Sequence, residues 1–399
     1  MASNFKITDS SVQNLFKIQY KDKSLNTYNG KVPFLGRCEK SYDFVGLRRE
    51  LEVPTGYQGG AGSGSLPSAN RGIYQKPIIS RTKQYVVVEI DRETIKASKD
   101  EGAFVDGLRE VVKKGVEKFN WNISRQIHNS LSNGSLGTIN AGGVTDNGGG
   151  LYDLVISSTT WKLANFEIRD FVNIASGNTD KFEITNVTPS TRTVRVQRIS
   201  GSKVPVAADL IFLQGSENND IQSLVGALTA TSSTLYSVSV GYRWQASQTD
   251  ASSAGISSDL LNQNALDIDA STGTSPNLGM CGHTQLRKML AFMEDQKRYP
   301  LGPKAENLVG KVSFNAIEYY TVQGAIPVIV DRFADADKFF FVNDAHCSLY
   351  HAPDMGWMDD EGFVFLRKGD SDAYDARYGA YMQSYFPPTP HGVVYNLAT

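Results

Sequence analysis

A glycine-rich, uncharged stretch set between two long β-prone arms constrains this chain more than any other feature. Residues 55–65 read TGYQGGAGSGS, with Gly56, Gly59, Gly60, Gly62 and Gly64 around Tyr57. On either side, residues 42–53 and 73–90 carry the β-branched and aromatic content of hairpin strands. At about 3.3 Å per residue each arm reaches roughly 40–60 Å, farther than one chain's core can cover. A strand pair standing that far out is an unstable edge on its own. It has to lie on something else, and the simplest candidate is a second copy of the same chain. A glycine tip can change its backbone angles from one contact to the next, so Gly56, Tyr57, Gly59, Gly60, Gly62 and Gly64 are the expected subunit-contact residues.

Directly after the hairpin the pattern becomes helical. Val105, Leu108, Val112, Val116, Phe119, Ile123 and Ile127 form one apolar stripe over residues 100–131. Arg109, Lys113, Lys114, Lys118, Asn122 and Arg125 fall on its other faces. Gly107 and Gly115 each cost such a helix about 1 kcal/mol relative to alanine, so tertiary packing has to hold it. A glycine-rich run at 132–150 breaks the helix. From 151 to 213 short alternating strands follow, among them Phe182/Ile184 and Val194/Val196 joined by a Thr188-Pro189-Ser190 turn. They predict a small β-rich subdomain inserted between 136 and 230. Two helices, at 257–269 and 283–298, then precede a strand-rich finish with runs at 311–314, 317–320, 326–330, 339–342, 348–350, 363–366 and 374–385.

Composition narrows the function classes. Forty basic and 42 acidic residues leave a net charge of −2, so no whole-chain affinity for polyanions is expected. The first forty residues carry seven Lys/Arg against three acids, a mild basic bias equally well read as a solvated polar arm. Cys38, Cys281 and Cys347 are too few and too scattered for a disulfide framework, which fits a reducing cytosol. The opening residues lack a secretory signal, and no apolar run approaches the ~18 residues of a membrane helix.

Candidate chemistry is thin, and no catalytic residue, cofactor or metal is expected. Cys281-x-His283 and His346-Cys347…His351 match no zinc spacing, and buried thiols beside surface histidines are the commoner explanation. The acidic group Asp354, Asp359, Asp360 and Glu361 lacks the alternating carboxylates of a calcium loop. Gly59–Gly64 is not followed by the Lys-Ser/Thr and helix of a phosphate loop. Tyrosines and phenylalanines are common, but they are not interleaved with Arg/Lys as a single-strand binding platform requires.

The order of these elements, with three local phrases, resembles the major capsid proteins of tailed phages, the Hong Kong 97-like fold. The phrases are Leu235-Tyr236-Ser237-Val238 with Tyr242-Arg243-Trp244, then Gly324-Ala325-Ile326-Pro327-Val328-Ile329-Val330-Asp331, then Phe339-Phe340-Phe341-Val342-Asn343-Asp344. The resemblance implies an α+β fold divided into an N-terminal arm (1–40), an extended β-hairpin loop (41–90), a peripheral domain with a long spine helix (91–135), the inserted β-rich subdomain (136–230), and an axial domain with returning peripheral strands (231–399). It implies a virion structural protein that self-assembles, as hexamers and pentamers, into an icosahedral head shell around double-stranded DNA, built in the host cytoplasm. The partners implied are further copies of the chain, separate scaffold and portal proteins, DNA held by non-specific contact, and decoration proteins, with no membrane. The covalent Lys–Asn cross-link of some family members is not carried over, since no motif selects a partner set. The competing readings are an encapsulin-like compartment shell and a β-rich tail or adhesin component.

Overall fold

The computed structural model describes residues 34, 36–42, 44–56, 73–91, 101–129, 133–232, 234–241, 243–295, 317–321, 324–352, 356–358, 365–367 and 373–399. The N-terminal arm up to residue 33, the tip residues Tyr57, Gly59, Gly60, Gly62 and Gly64, the 311–314 run and the acidic group at 354–361 fall outside them, apart from residues 356–358.

A six-stranded sheet is organised around the longest strand, Ala373–Tyr385. Along one edge it pairs antiparallel with the whole of Thr82–Asp91, from Ala373↔Asp91 to Met382↔Thr82. Along the other edge it meets Phe365–Arg367, Gly356–Trp357 and Ser348–His351 in succession, and Glu39–Ser41 extends the sheet in parallel beyond Ser348–His351. The helix predicted from the apolar stripe is α1, Glu101–Ile127, about 40 Å long at 1.5 Å per residue. Val116, Phe119, Ile123 and Ile127 are buried in the core that this sheet supplies, and the Phe119 ring meets Tyr378 edge-on at 5.0 Å. Gly115 has a packing reason: a Cβ there would stand 2.7 Å from Val88 Cγ2 on the Thr82–Asp91 strand.

A second six-stranded sheet is mixed, in the order Ser247–Asp250, Gly392–Tyr395, Phe339–Val342, Leu278–Cys281, Gly324–Val330 and Ile317–Thr321. Short helix α2 (Leu224–Thr229) is capped by Ser223, whose hydroxyl accepts from the Gly226 amide. Helix α3 (Ser258–Thr272) starts at Ser257 and ends on Gly273 in the left-handed conformation; α4 is His283–Asp295. Buried Asn264 fastens α3 to the sheet by donating to Thr249 Oγ1 at 3.0 Å and Ser247 O at 3.2 Å. Gly392 leaves the space for it, since a Cβ there would meet Asn264 Oδ1 at 2.3 Å.

The inserted β-rich segment is a closed six-stranded barrel. Lys181–Thr188, Thr193–Ser200, Leu151–Ile156, Ser135–Asp146, Leu210–Leu213 and Phe171–Ile174 follow one another around it, and the last pairs back with the first. Alternate residues fill the interior: Tyr152, Leu154 and Ile156, Phe182 and Ile184, Val194 and Val196, all 2% exposed or less. The glycine-rich run that ends α1 is not a loop throughout, because 135–146 forms the longest barrel strand. Its register slips between Ile139↔Ile156 and Val144↔Leu154, and in the bulge Gly142 takes φ +67° while Gly143 lies too close to Val155 O for a side chain. Glycines that read as a break in one dimension serve a bulge and a close approach in three.

Candidate assembly surface

The hairpin is anchored at its root and open beyond it. Phe44 is buried with Ile79 and Tyr350, and its amide donates to His351 O at 3.3 Å. Leu51 N donates to Pro77 O, Arg81 N to Leu47 O, and Gln383 Nε2 to Ser80 O, each at 3.0–3.1 Å. The arms do not pair along their full length as the sequence led us to expect. They meet in two short ladders, Arg48–Glu50 with Ile78–Ser80 and Val53–Gly56 with Ile73–Gln75. Pro54 and Pro77 lack the amide a continuous ladder needs, and the rest of the second arm is committed to Ala373–Tyr385 instead. Of the expected contact residues, Gly56 ends the Val53–Gly56 strand at the mouth of the tip and is half-buried.

Tyr236 ties this root to the body. It sits with Ser237 at positive φ, 53° and 65°, the two central positions of the turn joining Thr234–Leu235 to Val238–Ser239. Such a two-residue turn demands that conformation at both positions. The Tyr236 carbonyl accepts from Ile78 N at 2.8 Å on the hairpin. Its phenol donates to Ser384 O at 3.0 Å and accepts from Phe386 N at 2.9 Å. Burial drives the phenol's pKa well above the ordinary tyrosine value, so it stays a neutral donor. Trp244 Nε1 donates to Leu235 O at 3.2 Å, closing the same turn from behind.

Outward from the root the surface is apolar. Val45 is 81% and Leu47 79% exposed, flanking Gly46 at φ +94°, and Tyr74 stands out on the second arm. On the Thr82–Asp91 strand the faces alternate: Gln84 and Val88 are buried towards the core, while Tyr85 and Val87 are exposed. Exposed apolar residues gathered on one projecting element and the strand that follows it mark an interaction surface.

Buried polar and charged clusters hold the elements behind that surface. Arg125 is 1% exposed and donates to Asp220 Oδ2 at 2.8 Å, Ser216 Oγ at 3.1 Å and Asn122 Oδ1. It thereby clamps the chain where it leaves the barrel onto the last turns of α1. Lys162, on the barrel, reaches both His128 O and Asp335, and Lys338 completes that group at 2.9 Å. Burial pushes Asp335 up, but the two lysines outweigh it and hold the carboxyl below its ordinary range. Asp331, closing the Gly324–Asp331 phrase, lies 3.3 Å from His128 Nε2. Burial there too is overcome, by His128 and by the Phe333 amide, so Asp331 is also lowered.

The residues singled out for metal chemistry are not brought together. Cys281 is fully buried in its strand, and burial alone raises its thiol to about 12, while His283 is exposed at the start of α4. His346 is exposed, whereas Cys347 and His351 are buried. Among the described residues no group of three or more His, Cys, Asp or Glu is placed to hold a metal ion, and no helix is long and apolar enough to cross a membrane.

A sheet with a long helix across it, a second helix-flanked sheet, and a hairpin projecting from the first define an α+β fold of the Hong Kong 97-like class. The chain belongs to the SU10 major capsid protein family, whose model matches residues 75–397. The capsid asymmetric unit of cyanophage A-1(L) superposes with a TM-score of 0.53 at 12% identity, covering 92% of this chain and 93% of that one. Gordonia phage Cozz gives a TM-score of 0.44 at 11% identity over 92% and 87% of the two chains. The holo-SrpI encapsulin complex from Synechococcus elongatus PCC 7942 gives 0.44 at 8% identity over 92% and 89%. No curated protein matches the sequence. Membership of a structural capsid family implies a structural protein rather than an enzyme, located in the capsid of the virion.

Proposed function

We propose that the chain assembles as hexamers and pentamers into an icosahedral head shell around double-stranded DNA, in the host cytoplasm, with the 41–90 hairpin draped over a neighbouring subunit. The observation that carries this reading is the hairpin itself: rooted by Phe44 and Tyr236, yet presenting Val45, Leu47 and Tyr74 to solvent. The division into arm, loop, peripheral domain, insertion and axial domain fits the same picture, with the Ala373–Tyr385 sheet and α1 as the peripheral part and the Gly324–Val330 sheet as the axial part. A net charge of −2 lets many copies pack without strong mutual repulsion. The enclosed DNA is then met by non-specific contact and counterions.

The test pairs two variants, Leu47→Asp and deletion of residues 57–64, and compares particles by negative-stain electron microscopy with subunit folding by circular dichroism. The Leu47 side chain is largely exposed and its hydrogen bond to Arg81 is through the backbone, so Leu47→Asp is expected to change subunit stability by no more than about 0.5 kcal/mol. Both variants are expected to yield folded subunits that fail to close shells. Normal closed particles from both would refute the hairpin's role. Nuclease-protected DNA in wild-type particles is the expected cargo, and protein cargo without DNA would favour the encapsulin-like reading.

A further inference from the structure

Two of the three cysteines, far apart in sequence, lie side by side. Glu39–Ser41 runs parallel to Ser348–His351 in the register Glu39↔Ser348, which places Cys38 and Cys347 opposite each other one residue earlier. The Glu39 amide donates to Cys347 O at 3.0 Å, which fixes that pairing of the two segments. Adjacent strands lie about 4.8 Å apart, inside the roughly 4.4–6.8 Å Cα separation that a disulfide spans. Both thiols are free and buried, Cys38 at 5% and Cys347 at 0% exposure, and each donates to the carbonyl four residues back, Phe34 O and Asn343 O, at 3.6 Å. His391 faces the same sulfur. Its Nδ1 accepts from Asn343 N at 2.9 Å, which leaves the proton of the neutral ring on Nε2, 4.0 Å from Cys347 Sγ.

We propose that Cys38 and Cys347 are a modification site, oxidised to a disulfide that locks the N-terminal segment onto the body of the subunit. The pair is reduced when the chain is made in a reducing cytoplasm and closes when particles meet low-molecular-weight disulfides outside it. That setting rests on the virion reading above; the chemistry does not. Glu39–Ser41 is a three-residue strand at the sheet margin, and its fraying admits the oxidant to Cys38, the less buried thiol. The Cys38 thiolate attacks one sulfur of the oxidant's disulfide, forming a mixed disulfide and expelling one small thiolate. Cys347 then loses its proton and attacks the Cys38 sulfur, forming the protein disulfide and releasing the second small thiolate. The protein gives up two electrons and two protons, and the oxidant becomes two thiols. Burial raises the Cys347 thiol well above its ordinary value, so its deprotonation limits the rate, and the Nε2–H of His391 faces the anion as it forms. Closing a loop of roughly 300 residues restricts the unfolded chain strongly. It also joins residues 1–37 covalently to the sheet, so the arm cannot leave without breaking a bond.

The experiment treats the purified full-length chain with oxidised glutathione at pH 8, blocks remaining thiols with N-ethylmaleimide, and maps non-reduced peptides by mass spectrometry. The expected result is a Cys38–Cys347 linked peptide two hydrogens lighter than its parts, with Cys281 recovered as the alkylated thiol. Recovery of Cys38 and Cys347 as alkylated thiols, or as separate glutathione adducts, overturns the proposal. Oxidised chains are further expected to melt several degrees above dithiothreitol-treated ones, with no difference in Cys38→Ser or Cys347→Ala. Equal midpoints despite a formed link overturn the locking role. Because the readout needs only the folded subunit, a link in chains that never assemble would sink the shell reading and leave this one standing.

Discussion

Single buried residues set how this subunit responds to acid. His391 is fully enclosed; burial, with a smaller contribution from His346, lowers its imidazole from 6.5 to about 3. His351 is lowered to about 4 by burial and by Lys40. In the unfolded chain both rings take up a proton near 6.5, so below that pH the unfolded state binds more protons than the native one. Their contribution is complete above pH 6.5 and is lost as pH falls towards 4 and then 3, at about 2 kcal/mol per histidine between pH 6.5 and 5. The lowered Asp331 and Asp335 act in the same sense at more acidic pH, while Asp170, raised by burial against Lys118, acts in the opposite sense. Denaturant unfolding of dissociated subunits at pH 7 and pH 5 is therefore expected to show a large loss. His391→Asn, which keeps an acceptor for Asn343 N and removes the titration, should flatten that slope; an unchanged slope would show that His391 is not its source. Tyr236 is the comparable device for geometry: one side chain and one carbonyl fix the turn, the end of the Ala373–Tyr385 strand and the hairpin root together.

At the level of elements, α1 shows two rules in conflict. Gly115 weakens the helix by about 1 kcal/mol relative to alanine. Yet a Cβ 2.7 Å from Val88 would overpack the seam with the Thr82–Asp91 strand, a cost of about 1–3 kcal/mol. Packing wins, so Gly115→Ala is expected to destabilise the subunit. In a Val88→Ala background the same substitution should become neutral or stabilising, because the clash is gone and the propensity gain remains. Thermal unfolding of the four members of that cycle checks it, and a stabilised Gly115→Ala single variant would contradict the seam. The hairpin shows the same competition in strands. Its second arm had the composition to pair throughout with the first, but Thr82–Asp91 found ten partners on Ala373–Tyr385, nearly three hundred residues away.

For the molecule as a whole, the barrel is an insertion whose ends meet. The Asn218 amide donates to Asn133 O at 3.0 Å, and Arg125 reaches from α1 to Gly134 O, Ser216 Oγ and Asp220 across both ends. The barrel core and the body core are separate clusters. Replacing residues 136–214 by a short Gly/Ser linker is therefore expected to leave a body that folds and melts in one cooperative transition by circular dichroism. Asp335 loses Lys162 in that chain but keeps Lys338. Aggregation or a featureless melt would mean that the body depends on the barrel for its core.

Periodicity carried what the sequence could say. The α1 stripe, the Phe182/Ile184 and Val194/Val196 alternation and the Phe339–Val342 strand were legible because each buries one face or all of a short run, and burial leaves a local rhythm. The order of those elements, with the exposed hairpin, pointed to a shell protein. Other elements had no such rhythm, among them the bulged Ser135–Asp146 strand, Leu224–Thr229, Ser247–Asp250, Leu278–Cys281 and Gly392–Tyr395. Gly279 and Gly392 answer to Phe339 and Asn264, neighbours that are remote in the chain. The same holds for barrel closure, the Arg125 clamp and the meeting of Cys38 with Cys347. Local patterning reports which side of a segment avoids water, whereas partner choice among distant segments is settled only when the whole chain packs.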